Sequence, residues 1–254
     1  MKKGLVSVTF RKLSVPEIIK LASENDLEYI EWGGDCHVKM GKVSYARKVK
    51  KLMNAYGIKC ESYGSYYGVV YKSHQHPPLR FKQVCKTALA LGAKTIRIWP
   101  GWPGCGEIDE AAEAKAVLHT REISKVAKKY GVTLAFECHF GTITDDYKRT
   151  LSFMKKIGCD NVKMYWQPNP FKSKEYNMEA LKALKPYLTN VHVCQCINGV
   201  KDTLESAFDE WSGYIKEAND DENRLFLLEF MPDNEPSSLP SEAKTLRKLE
   251  ENAK

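Results

Sequence analysis

The chain predicts an α/β protein, a single (β/α)8 barrel running over residues 1–254. Three observations predict it. A short apolar strand followed by an amphipathic helix recurs along the chain, glycine stands at four helix exits, and eight such units in 254 residues match the usual size of a parallel barrel. The strands fall at Leu5–Phe10, Tyr29–Trp32, Lys59–Ser65, Thr95–Trp99, Thr133–Glu137, Val162–Trp166, Asn190–Cys194 and Leu225–Phe230. Ser14 opens the first helix, and Glu17 three positions on completes a capping box ahead of Ile18, Ile19, Leu21 and Ala22. Helical periodicity returns over Ala111–Tyr130 and Asn177–Leu188. Gly57, Gly92, Gly131 and Gly158 each end a helix shortly before a strand, where a left-handed residue is needed. A doubly wound sheet is the competing topology, but no Gly-rich phosphate loop follows the first strand. No linker or low-complexity tract divides the chain.

Composition excludes several classes. With 43% hydrophobic and 11% aromatic residues the chain has ample material for a core and does not read as disordered. No apolar run approaches the roughly 18 residues of a membrane span, so no membrane partner is expected. Met1-Lys2-Lys3 followed by Leu5–Phe10 imitates a signal peptide, but Arg11 and Lys12 cut the apolar stretch short. The net charge of +7 comes mostly from lysine, in pairs such as Lys50-Lys51, Lys128-Lys129 and Lys155-Lys156 on helical faces. These read as a solvated shell, and no nucleic-acid partner is expected. The eight cysteines are scattered without a CxxC, which fits free thiols and a cytoplasmic location. A homodimer is compatible with the chain.

In such barrels chemistry sits at the C-terminal ends of the strands, and alternation decides which side chains face inward. In the fifth strand Leu134 and Phe136 suit the helix layer, which turns Glu137 into the mouth. The eighth strand delivers Glu229 to the same rim, His192 lies in the seventh, and Gln167 closes the sixth. Two carboxylates, an imidazole and an amide oxygen suit a divalent cation, Mn²⁺ or Mg²⁺ first, with Co²⁺ or Zn²⁺ also compatible. Two glutamates brought together without a cation would repel. A thiolate site around Cys194 or Cys196 is a minor rival, with Cys194 expected to face the helix layer.

The segments Tyr29-Ile30-Glu31-Trp32-Gly33-Gly34-Asp35, Phe136-Glu137-Cys138-His139, Trp166-Gln167-Pro168-Asn169, Val191-His192-Val193 and Leu228-Glu229-Phe230 carry a resemblance. In this order the chain resembles the xylose-isomerase-like family of TIM-barrel sugar (phosphate) isomerases and epimerases, over nearly its whole length. The resemblance implies one divalent metal held by Glu137, Gln167, His192 and Glu229. The family usually has an aspartate where this chain has Gln167, so the expected site holds its ion less strongly and leaves it more polarising. It also implies a mechanism on a small-molecule sugar. A cation on a carbonyl and its neighbouring hydroxyl acidifies the C–H between them, and Glu137 and Glu229 exchange the proton through an enediolate.

Trp32, Tyr63, Tyr66, Tyr67, Trp99 and Trp102 fall at or beyond strand ends, where flat rings can cover a sugar, although several of them suit core packing equally well. Of these, Trp32 and Tyr66 are taken as substrate-binding, with His139 and Asn169 two positions beyond proposed ligands. Gln195 and His37 are weaker candidates. Arg97 turns inward by alternation, where it pairs with Glu61 or meets a substrate carboxylate or phosphate. Three rivals remain: a metal-dependent dehydratase or lyase acting on a keto-sugar or cyclic keto acid, a non-catalytic sugar-binding barrel, and a DNA-repair endonuclease of the same fold. The last needs more rim histidines than six in total supply.

Overall fold

A computed structural model describes residues 1–69, 81–101, 103–221 and 223–253. Its strands and helices alternate: β1 Lys2–Val6, α1 Val15–Glu24, β2 Tyr29–Gly33, α2 Val43–Ala55, β3 Ser62–Gly68, α3 Phe81–Leu91, β4 Thr95–Trp99 and α4 Glu110–Lys129. Then follow β5 Thr133–Glu137, α5 Tyr147–Ile157, β6 Val162–Trp166, α6 Lys174–Leu184 and β7 Leu188–Val193. A short hairpin, β8 Gln195–Ile197 and β9 Val200–Asp202, precedes α7 Phe208–Ala218, β10 Leu225–Leu228 and α8 Leu239–Asn252. The barrel closes in the order β1-β10-β7-β6-β5-β4-β3-β2, and every pairing in it is parallel. It is the (β/α)8 architecture that the sequence predicts, with β10 as the eighth stave.

Local chemistry explains most boundaries. Ser14 and Glu17 form the predicted capping box. The glycines at helix exits adopt positive φ, 70° at Gly57, 106° at Gly92, 64° at Gly131 and 61° at Gly158. Gly158 is the left-handed cap of α5, its N–H donating to Met154 O. Other boundaries shift. The first strand begins at Lys2 and stops at Val6, because Ser7–Phe10 forms a 3-10 turn. The third begins at Ser62, not Lys59, and slips register against β4 between Gly64 and Tyr67, where Tyr66 takes φ of 56°. The sixth helix starts at Lys174, capped by Ser173, and ends before Pro186, whose ring cannot continue it.

Two apolar layers result. The larger packs the outer strand faces against the helices and includes Trp32, Tyr63, Ile96, Leu134, Phe136, Trp166, Val191 and Phe226. A smaller plug fills the barrel, made of Val6, Val8, Tyr29, Ala135, Tyr165, Leu225 and Leu227. Since the side-chain period is two, the next inward position along several of these strands lies directly above the plug. Those positions are Glu31 after Tyr29, Glu137 after Ala135, Gln167 after Tyr165 and Glu229 after Leu227. All eight cysteines are free thiols. No helix among the described residues is long and apolar enough to cross a membrane.

Candidate metal centre

Glu137 ends β5, His192 sits in β7, and Glu229 follows β10, its N–H donating to Val193 O. Each offers one ligand atom, and the three atoms lie within 4.8 Å of one another. Their convergence is tightest on His192 Nδ1, with Glu229 Oε2 at 3.1 Å, Glu137 Oε1 at 3.2 Å and Gln167 Oε1 at 3.2 Å. One N–H cannot serve three oxygens, and two carboxylates at this separation repel. A cation between them relieves both problems, so this oxygen-and-nitrogen set fits a divalent ion.

Behind the cluster lies an ion pair from other staves. The Arg97 guanidinium on β4 donates through Nε to Glu31 Oε1 at 2.8 Å and through Nη1 to Glu137 Oε2. Glu31 Oε2 accepts from Ser62 Oγ at 2.9 Å, and Glu31 Oε1 lies 3.6 Å from His192 Nε2. Gly64 makes room for the pair, since a Cβ there would stand 2.7 Å from Arg97 Nη2 and 2.9 Å from Glu31 Oε1. Burial pushes the Glu31 carboxyl up, but Arg97 and His192 outweigh it and hold it at about 2. Burial likewise opposes charge on Glu137, and Arg97 and His192 again prevail, keeping it well below the usual carboxylate range. Burial disfavours charge on His192, yet Glu229, Glu137 and Glu31 raise its pKa well above the ordinary imidazole value. The three carboxylates thus favour positive charge at their centre.

A cavity of about 380 Å³ opens onto the cluster, walled by Tyr66, Trp99, His139, Phe140, Pro168 and Phe230 among others. Of the predicted substrate residues, Tyr66, Arg97 and His139 border it. Trp32 does not. It is fully buried between sheet and helices, with Nε1 donating to Met53 Sδ, because β2 turns Glu31 inward and its neighbour outward. Tyr63 faces the same layer, its hydroxyl donating to Val38 O. Asn169 also lies outside the wall, with Nδ2 donating to Asp145 O and Oδ1 accepting from Phe171 N. It belongs to a loop, where strand alternation no longer applies.

The expected Arg97–Glu61 pair does not form. Glu61 precedes β3 and meets Lys2 at 3.0 Å, whereas Arg97 reaches Glu31 and Glu137. Cys194 borders the cavity instead of facing the helices, since it shares the parity of His192 two positions earlier. Gln195 also borders the cavity, but its Oε1 accepts from Trp211 Nε1. His37 bonds Ser7 Oγ and Leu13 O away from the cavity, Tyr67 contacts His119, and Trp102 lies outside the described residues. Glu31 was the residue that sequence reasoning gave no role. Its signal was available, because Trp32 cannot face the helices without turning Glu31 to the barrel axis.

A closed parallel barrel with two carboxylates and an imidazole converging at the C-terminal ends of its strands defines a TIM barrel with a candidate cation site. Residues 19–243 match the model of the xylose isomerase-like TIM barrel family, and the chain belongs to that family. No curated protein matches it in sequence. Among solved structures, it is similar to the probable 3-DHS dehydratase AsbF, involved in petrobactin synthesis, from Bacillus anthracis. That likeness has 17% identity and a TM-score of 0.79, and covers 97% of this chain and 99% of the other. D-psicose 3-epimerase from Clostridium cellulolyticum H10, solved with D-tagatose, shares 16% identity at a TM-score of 0.71, with both chains covered in full. The IolI protein with a zinc atom shares 17% identity at a TM-score of 0.72, covering 100% of this chain and 98% of the other. At these identities the likeness shows the fold.

Proposed function

We propose that the protein is a divalent-metal-dependent isomerase or epimerase of a small sugar or hydroxy-ketone. The observation that carries this reading is the convergence of Glu137, Gln167 and Glu229 oxygens on His192 Nδ1 at the floor of a cavity. These four residues would hold the ion, Mn²⁺ or Mg²⁺ first, with Co²⁺ and Zn²⁺ also matched by the donors. Bound there, such a cation supplies Lewis-acid polarisation of a carbonyl and stabilises the charge left by deprotonation.

The chain's own residues divide the proton transfer. Glu137 has one oxygen engaged by Arg97, which makes it the weaker base. Among the described residues Glu229 contacts no guanidinium or ammonium, so it takes the proton from the substrate carbon. Return of that proton by Glu229 to the neighbouring carbon isomerises, whereas a proton relayed from solvent through Glu137 to the opposite face epimerises the carbon and leaves the first proton to exchange from Glu229. Tyr66, Trp99 and Phe230 exclude water around the transfer.

Ketoses and hydroxy-keto acids recovered from a panel of both, incubated with manganese-loaded protein in deuterium oxide, include members that carry label beside the carbonyl. Glu229→Gln and Glu137→Gln each reduce that exchange about 10²–10⁴-fold. Absence of label across the panel with wild-type protein would overturn the reading. A second reading, a dehydratase or lyase on a keto-sugar or cyclic keto acid, is favoured by the aromatic and proline rings that line the cavity. It uses the same deprotonation and yields an unsaturated product instead of labelled substrate.

A further inference from the structure

We infer that the substrate carries a carboxylate, received by the ammonium of Lys201 on the β8–β9 hairpin. The inference rests on the metal reading of the cluster and names the chemical class of the ligand that spans the cavity.

The hairpin is placed as one wall. Its register pairs Cys196 with Lys201, and residues opposite one another on antiparallel strands project from the same face. That face borders the cavity, whereas Ile197 and Asp202 border a separate open groove between α6 and α7. Asn198 at the turn, with φ of 50°, donates its N–H to Pro170 O at 2.8 Å and ties the hairpin to the loop after β6.

Lys201 differs from the other cation of the wall. Arg97 is matched by two buried carboxylates. Lys201 is half-buried, stands 4.7 Å from the centre of the Phe230 ring, and forms no ion pair among the described residues. A partly desolvated ammonium over an aromatic face, with no carboxylate paired to it among the described residues, gains most from an anion brought by a ligand.

The rest of the wall points the same way. A neutral polyol needs a donor or acceptor for each hydroxyl, yet Tyr66, Trp99, Phe140, Pro168, Pro170 and Phe230 present mainly rings. The Gln195 carbonyl serves Trp211, and Asn169 serves its own loop. A compact hydroxy-keto acid, with chelating oxygens at the metal end and a carboxylate at the hairpin, uses what this wall offers. A phosphate asks for several converging N–H donors, and the hairpin wall presents one ammonium.

Catechol and 3,4-dihydroxybenzoate share the same chelating oxygens and differ by one carboxylate. Isothermal titration of each into manganese-loaded protein gives about tenfold or tighter binding for the acid, the worth of a charge-assisted hydrogen bond. In Lys201→Met, which keeps an apolar chain over Phe230, the acid loses that advantage and catechol binds as before. Lys201→Arg restores it. Equal affinities in wild type, or an advantage that survives in Lys201→Met, would overturn the inference while leaving the metal reading intact. Failure of manganese itself to bind, read by titration before either probe is added, overturns the metal reading and this inference with it.

Discussion

At the scale of single residues, the site is governed by charge balance. Glu137, Glu229 and Glu31 carry three negative charges, and Arg97 cancels one, so a divalent ion would leave the buried cluster neutral. Gln167 is what keeps that balance. Gln167→Asp adds a carboxylate beside His192 Nδ1 and tightens manganese binding about tenfold or more; unchanged or weaker affinity by calorimetric titration would contradict this. Arg97 faces the opposite sign. Removing one partner of a buried ion pair costs about 3–5 kcal/mol, because the carboxylates left behind are uncompensated. Arg97→Met therefore lowers the unfolding free energy of metal-free protein, read by urea titration, by an amount in that range, and excess manganese recovers part of the loss. A variant as stable as wild type without metal would refute the argument.

At the scale of elements, caps and parity do most of the work. The Ser14–Glu17 box satisfies free amides at the start of α1, so Ser14→Ala costs about 1 kcal/mol, seen as a melting point lower by about 2–4 °C. The inward positions of β5 and β7 and of the rim after β10 were legible because apolar neighbours fix the face turned to the helices. β2 was harder, since all five of its residues are buried and Trp32 by itself suits either a mouth or a core. The register slip in β3 left no mark in composition, and it re-aims Tyr66 toward the cavity. The pairing of Arg97 with Glu31 was not legible, although the inward turn of each side chain was. Glu31 comes from a stave two places away around the barrel, and no spacing along the chain encodes that reach.

For the whole molecule, the eight strand–helix units and their order followed from glycine punctuation and apolar periodicity, while loops after strand ends escaped both. Asn169 shows why, since its orientation is set by hydrogen bonds to Asp145 and Phe171 that only the closed barrel brings near. A metal joining β5, β6, β7 and β10 would tie half the staves together. At a hundredfold excess over its dissociation constant it adds about 2.7 kcal/mol to folding stability. Manganese therefore raises the melting temperature by about 5–10 °C, a chelator reverses the gain, and His192→Ala shows none of it. An unchanged melting curve with and without manganese would count against an ion there.

The plug of Tyr29, Ala135, Tyr165 and Leu227 lies one inward step below Glu31, Glu137, Gln167 and Glu229. Oil and charge are thus stacked with no spare layer between them. Deleting or inserting one amino acid within a stave would swing its acid toward the helices and drop a greasy neighbour into the ionic floor. Surface connections can grow or shrink without such damage, so lineages diverging from this chain are free to lengthen their loops but must keep the count inside each strand.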